Sequence, residues 1–246
     1  MNIPIRKKWG QNFLIDPNIS KKIIAVLGAN KNDHVLEIGP GRGALTSLLS
    51  MGVKQISAIE IDPMLCEYLT NQKLNNITIY NADILKFDLN KMPKNYLAIG
   101  NLPYNISTPI LFKFMENRGW NKLVVMLQKE VAERIVASEK NKKYGRISIM
   151  FQTFFELNLE FHIPKTVFNP QPKVTSSLLS VMPKKNIEIN QNNLKRLVEA
   201  AFKHRRKKLK HNLKELINEK QLSNIQDKRA DELSVKQYQQ LTQYIK

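Results

Sequence analysis

The chain has 246 residues, 42% of them hydrophobic, enough for one sizeable domain and a small appendage, and its 39 Lys and Arg against 21 Asp and Glu give a formal charge of +18. So large an excess is out of place in an enzyme of small neutral molecules and points to a polyanionic partner, a nucleic acid or an anionic membrane surface. No apolar run approaches the ~20 residues that span a bilayer, the N-terminus has no apolar signal core, Cys66 alone excludes an intrachain disulfide or a multi-cysteine zinc site, and the four histidines are scattered; the expectation is a soluble, cytoplasmic protein with no metal.

Arg6-Lys7-Lys8 is a basic cluster ahead of Trp9-Gly10-Gln11-Asn12-Phe13-Leu14, open to phosphate contact or to plain solvation. Asp16-Pro17 opens a helix to Leu27, with Ile19, Ile23, Ile24 and Leu27 at helical spacing. His34 to Gly39 is a short apolar strand running into Pro40-Gly41-Arg42-Gly43 and a helix from Ala44 to Ser50, the opening of a nucleotide-binding βαβ unit. Its glycines alternate, unlike the Gly-x-Gly-x-x-Gly of dinucleotide sites; so tight a turn suits an adenosine with one carboxylate-bearing tail better than a pyrophosphate. A second strand, Gln55 to Ile61, carries Glu60 about twenty residues past the first glycine, where a carboxylate would accept hydrogen bonds from a ribose diol. A third, Ile77 to Tyr80, leads to Asp83, either a ligand in the crevice at the strand ends or a helix N-cap.

The fourth strand, Tyr96 to Ile99, delivers Gly100-Asn101-Leu102-Pro103-Tyr104 to the same edge. An exocyclic base amine is a poor nucleophile, because its lone pair is delocalised into the ring, and a catalyst must hold it by accepting hydrogen bonds from its N–H groups. Asn101 offers an amide oxygen for that task. Leu102-Pro103 cannot lie inside a regular helix and the proline has no N–H, so this backbone presents carbonyls. Tyr104 offers a face on which a base can stack. An ordinary strand-to-helix turn is the competing reading.

Thr108-Pro109 starts a helix through Met115, Lys122 to Leu127 is a fifth strand, and Lys129 to Ala137 an amphipathic helix. Glu139 to Arg146 is a basic loop, and Ile147 to Phe155 a buried helix. Asn158 to Ile163 and Val174 to Met182 are two more strands whose connection is too short for a helix, which implies an antiparallel pair closing the sheet. Phe168 stands in that proline-bounded connection, as an exposed platform for a flipped base or as packing against neighbouring loops. After Pro183 the character changes and from about Asn192 the signals are helical to Lys246, and Lys203-His204-Arg205-Arg206-Lys207-Lys208-Leu209-Lys210 is a cationic run whose self-repulsion on a free helix a phosphate backbone would relieve. The expected fold is α/β, a Rossmann-like seven-stranded sheet over residues 1–183, with a small all-α, basic domain over 184–246.

Gly10 to Leu14, Glu37 to Gly43, Glu60-Ile61-Asp62, Asn81-Ala82-Asp83, Asn101 to Tyr104, Gln128 to Ala132, Tyr144-Gly145-Arg146, Phe168 to Val174 and Arg205-Arg206-Lys207 together resemble the ribosomal RNA adenine N6-dimethyltransferases nearly end to end, above all the small-subunit (16S) branch. Trp9, where the family usually carries Phe, and a short C-terminal helical region depart from the pattern. The resemblance implies S-adenosylmethionine as methyl donor. Asn12 and Leu14 would close over its methionine part, Gly39 would admit its close approach, Glu60 would hold the ribose and Asp83 the adenine amine. Asn101 would sit between donor and target, with the reacting N6 held by the Asn101 side chain and the Leu102 carbonyl between Tyr104 and Phe168. Lys203, Arg205, Arg206 and Lys207 would bind RNA. The family's substrate is a pair of adjacent adenines near the 3′ end of small-subunit rRNA in a partly assembled 30S-type particle, and a monomer is expected. The alternatives are a large-subunit rRNA adenine methyltransferase of the macrolide-resistance type, a DNA adenine methyltransferase, and a mainly non-enzymatic ribosome-assembly factor.

Overall fold

The computed structural model describes residues 4–6 and 9–245. The chain divides into two compact units, Met1–Ala132 with Asn158–Pro183, and Glu133–Leu157 with Lys184–Lys246.

In the first unit a two-residue strand, β1 (Phe13–Leu14), precedes α1 (Pro17–Leu27). The Asp16 carboxylate caps α1 by accepting the Asn18 and Ile19 N–H groups, Pro17 takes the first turn, and Gly28, at φ 69°, ends it. Then come β2 (His34–Ile38), α2 (Thr46–Leu49), β3 (Gln55–Glu60), α3 (Pro63–Thr70), β4 (Ile77–Asn81), β5 (Tyr96–Asn101), α4 (Ser107–Glu116), β6 (Trp120–Gln128) and α5 (Lys129–Ile135). The helix expected from Ala44 to Ser50 is only α2, because residues 41–45 are still turning; Gly41 and Gly43 hold positive φ values of 58° and 82°.

After α5 follow α6 (Arg146–Phe154), β7 (Phe155–Ile163), β8 (Phe168–Asn169) and β9 (Ser176–Pro183). The seven-stranded sheet has the order β4-β3-β2-β5-β6-β9-β7, with β4 through β6 mutually parallel and β9 antiparallel to β6. His162 with Ser177 and Glu160 with Ser180 form side-chain hydrogen bonds whose numbering runs in opposite senses, as in an antiparallel edge pair. The interior strands are buried on both faces, with Val35, Leu36, Ile56, Ala58, Ile99 and Val124 sealed from solvent. One feature had no counterpart in the periodicity: β1 pairs antiparallel with β8, Leu14 opposite Phe168, a contact between strands too short to leave a pattern.

The second unit contains α6 together with α7 (Gln191–Ala201), α8 (Leu209–Leu213), α9 (Glu219–Leu222) and α10 (Val235–Thr242). Residues 133–157, expected to belong with the sheet, group with 184–246 instead, because α6 packs against α7 and α10. The Gln152 side chain ties α6 to the carbonyls of Ile135 and Ala137. The cationic run is mostly not helical: residues 203–208 occupy the turns between α7 and α8, and only Leu209 and Lys210 lie in α8. No helix of the described residues is long and apolar enough to cross a membrane.

Candidate active site

Strand register builds the site. Ile38 pairs with Ile59 on one side and Gly100 on the other, so Gly39 comes level with Glu60 and Asn101 across three adjacent strands. Gly39, at φ +64°, turns the chain there, and a Cβ on it would face the Asn101 carbonyl at 3.8 Å. The missing side chain opens a cavity between Glu60 and Asn101, and Asn12, Leu14, Glu37, Asp83 and Tyr104 also line it. Gly100 is more tightly constrained: a Cβ there would lie 2.7 Å from the Ile38 carbonyl oxygen.

Glu60 is buried, and its two carboxylate oxygens accept the Asp62 N–H (2.9 Å) and the Gly41 N–H (3.2 Å). Burial pushes its pKa up, against the pull of those backbone donors. Each oxygen keeps a lone pair for a further donor. Asp83 is half-buried; its Oδ1 accepts the Leu85 N–H at 2.9 Å, so it caps a turn and also faces the cavity. No helix starts at Asp83, so the cap it makes is that of a turn.

Asn101 ends β5 half-exposed, and its Nδ2 donates to the Asn12 carbonyl at 2.7 Å. With the amide's donor end so engaged, Oδ1 remains as the acceptor. Leu102 spends its N–H on the Met126 carbonyl (3.3 Å), and Pro103 brings no N–H after it. The Tyr104 hydroxyl pairs with Ser176 Oγ at 2.6 Å, which ties the ring to β9; burial raises the phenol's pKa. Ser176 is a contributor that nothing in its local sequence announced.

The segment from Trp9 to Leu14 covers the strand tips. Gln11 Nε2 donates to Asp62 Oδ2 at 3.0 Å, Asn12 Nδ2 to the Gly10 carbonyl at 3.1 Å, and the Arg6 guanidinium lies 3.6 Å from Asp62 and 5.0 Å from the centre of the Trp9 ring. Arg6 is therefore engaged in holding this segment, while Lys7 and Lys8 lie outside the described residues.

Three readings change. Phe168 is not an exposed platform: it is 1% accessible, pairs through β8 with β1 and packs in the core with Leu14, Ile163 and Val167, because the β1–β8 ribbon folds its connection back onto the sheet. Arg205 is not a free cation: its Nη2 donates to the carbonyls of Lys142 (2.8 Å) and Tyr144 (3.2 Å) and lies 3.7 Å from Asp231. It draws the 139–146 loop to the 203–208 turns within the second unit. The side chains of Lys203, Arg206 and Lys207 are exposed and have no hydrogen-bond or ion-pair partner among the described residues. Finally, Glu37 lines the cavity and was missed, although a lone carboxylate amid Val35, Leu36 and Ile38 was a visible signal. It is 1% accessible, and burial pushes its carboxyl up to about 7.

A family profile described as ribosomal RNA adenine dimethylase matches residues 2–246. The chain is 40% identical over 241 residues to the ribosomal RNA small subunit methyltransferase A of Chlorobium phaeobacteroides (strain BS1), covering 96% of this chain and 92% of that one. To the protein of the same name in Francisella tularensis subsp. novicida (strain U112) it is 43% identical over 228 residues, covering 88% and 86%. A dimethyladenosine transferase from Plasmodium falciparum matches with a TM-score of 0.84 at 27% identity, over 92% of this chain and 94% of that one. The 23S rRNA methyltransferase ErmE shares the fold, with a TM-score of 0.77 at 23% identity over 95% and 99%.

Proposed function

The chain belongs to the ribosomal RNA adenine dimethylase family, and from that membership we infer an rRNA adenine dimethyltransferase of the small-subunit type that takes its methyl groups from S-adenosylmethionine. Its substrate in this reading is the N6 of two adjacent adenines near the 3′ end of small-subunit rRNA, met in a partly assembled 30S-type particle by a cytoplasmic monomer. Relatives at 40% and 43% identity, named for the small subunit and matched over most of the chain, favour this over a large-subunit target. One observation carries the site: Asn101 Nδ2 donates to the Asn12 carbonyl, which orients the amide so that its oxygen at the tip of β5 is left to accept from an amine.

The residues fit the cofactor. A gap without a side chain at Gly39, acceptors on Glu60 and Asp83, and the unpartnered buried Glu37 Oε2 suit a cationic adenosine derivative. Glu60 would hold its ribose, Asp83 its adenine amine, and Asn12 and Leu14 its amino-acid part. When bound, the cofactor supplies a methyl already activated on a sulfonium. The chain's task is then positioning and electrostatics. Asn101 Oδ1 and the Leu102 carbonyl accept the two N6 hydrogens and direct the nitrogen lone pair toward the methyl, while Tyr104, steadied by Ser176, stacks on the ring. Once methylated, the amine is acidic enough to lose its proton to water without a dedicated base. Phe168, inside the core, has no part in the stacking.

The test is transfer of tritiated methyl to small-subunit particles lacking the modification, beside naked large-subunit rRNA and duplex DNA. Incorporation confined to the particles, at the paired adenines, is expected; equal labelling of large-subunit rRNA would move the substrate.

RNA contact would fall to Lys203, Arg206 and Lys207, with Arg205 positioning them. The double change Arg206→Glu and Lys207→Glu is expected to leave the melting temperature unchanged and to flatten the slope of log affinity against log salt by about 1.5, two phosphate contacts' worth. Arg205→Ala should instead lower the melting temperature by a few degrees, measured by circular dichroism. An unaltered salt slope in the double variant would acquit that turn.

A further inference from the structure

We propose that the side-chain amide of Gln128 reads the target base: its Nε2 donates to a ring nitrogen beside the reacting amine, N1 or N7, so that the site recognises the ring as well as the amine. The inference rests on the adenine-methylation reading above and deepens it.

Strand register places the residue. Asn101, at the end of β5, pairs with Met126 on β6, and Met126 lines the cavity. Gln128 is two residues further along β6 and ends that strand. Strand alternation sends positions 126 and 128 to one face, the face that carries Asn101. At about 3.3 Å per residue and 4.8 Å between strands, the Gln128 Cα lies roughly 8 Å from that of Asn101, toward the open edge of the sheet. On its other side Gln128 pairs antiparallel with Ser176, and side chains at paired positions stand together on one face, their Cβ atoms about 5 Å apart. Ser176 Oγ in turn holds the Tyr104 hydroxyl at 2.6 Å. Asn101, the hydroxyl end of the Tyr104 ring and Gln128 therefore bound one space at the strand ends, a span that the amine edge of a purine and a glutamine side chain can fill between them.

The chemistry of Gln128 is unspent. The residue is half-buried, and its amide has no hydrogen-bond partner among the described residues. Its polar neighbours are committed: Ser176 and Tyr104 to each other, and Asn101 Nδ2 to the Asn12 carbonyl. A polar group drawn partly out of water without a partner gains from one that a ligand brings. The two groups assigned to the amine, Asn101 Oδ1 and the Leu102 carbonyl, are both acceptors, and acceptors alone would hold the exocyclic amine of any base. A donor is what the site otherwise lacks. Adenine carries a ring acceptor on either side of N6, and a side-chain amide is the group that pairs with such an edge. A base presenting C–H or N–H at that place leaves the amide unmet.

Methyl transfer to small-subunit particles assembled on rRNA with a synthetic 3′ segment reads the contact directly. The segment carries, at one of the two target positions, an adenosine with C–H in place of N1 or in place of N7; each analogue keeps the amine and removes one ring acceptor. In the wild-type chain one analogue is expected to lose about tenfold in kcat/KM and the other less than about twofold, and the one that loses identifies the nitrogen. Gln128→Ala should methylate natural adenine about tenfold more slowly and treat that analogue and adenine alike, within about twofold. A glutamine that merely shaped the strand end would slow all three bases equally and leave the analogue's deficit in place. Gln128→Glu fills the same space and cannot donate when ionised; it is the second variant should alanine disturb folding, and it too should show no deficit with that analogue. A deficit that persists undiminished in the variants, or full rates with both analogues in wild type, would overturn the proposal. No transfer to natural adenine by the wild-type chain would instead remove the adenine-methylation reading on which it rests.

Discussion

Replacing Asn101 by alanine is expected to lower kcat for methyl transfer by at least about 100-fold, the scale on which single positioning donors and acceptors at reacting centres act, while the affinity for S-adenosylmethionine changes by less than about fivefold. The amide does two things at once. Its Nδ2 holds the Asn12 carbonyl at 2.7 Å, and in the proposed reaction its Oδ1 accepts from the target amine. Alanine removes both, but only the second lies on the path of the reaction. Asn101→Asp separates them: it keeps acceptor oxygens and loses the donor to Asn12, so its kcat should fall between wild type and alanine, with a larger rise in KM for the donor. Single-turnover transfer to small-subunit particles, paired with equilibrium binding of the donor, gives the kcat and binding halves independently. Turnover within about threefold of wild type in Asn101→Ala would mean that the amine is held elsewhere.

Gly100→Ala is the second large effect. The added Cβ would stand 2.7 Å from the Ile38 carbonyl oxygen, 2.9 Å from Ile38 Cβ and 3.2 Å from Leu102 Cδ2. Two of those atoms belong to the neighbouring strand at a paired position, and a backbone in mid-sheet cannot swing aside as the tip of a side chain can. β2 and β5 must part at the Ile38–Gly100 pair, next to Gly39 and Asn101. A loss of about 1–3 kcal/mol is expected, a fall in melting temperature of roughly 4–10 °C, with donor affinity and transfer rate declining together. Gly52→Ala is the control, since a Cβ there meets nothing within 4 Å. A Gly100→Ala protein with wild-type melting and activity would show that the sheet has slack at this pair.

The strands, α1 and the strand-end carboxylates were legible because each is written locally. Apolar runs of five or six residues, a proline one step inside a helix and an aspartate before it are encoded by neighbours in the chain. Asp16 capping α1 and Asp62 capping α3 are instances, each accepting backbone N–H groups of the first turn. The Asn101-Leu102-Pro103-Tyr104 stretch was equally visible, since its chemistry lies in residue type. Phe168 and Arg205 were misjudged for one reason: exposure is decided by what folds back over a residue. A phenylalanine between prolines reads as surface until β8 pairs with β1, and an arginine in a basic run reads as free until the carbonyls of Lys142 and Tyr144 reach it from some sixty residues away.

By itself, then, the order of residues determined the strands of the seven-stranded sheet, which of their ends carry acceptors, and which chemistry those acceptors suit, because these depend on hydrogen-bonding capacity and on patterns a few residues long. Only the tertiary structure decided that Glu37 lines the cavity, that Ser176 steadies Tyr104 and that α6 joins the C-terminal unit. Register between strands and burial by distant segments are collective properties: a shift of one residue sends a side chain to the opposite face, and nothing within a strand's own sequence records which neighbour it will meet.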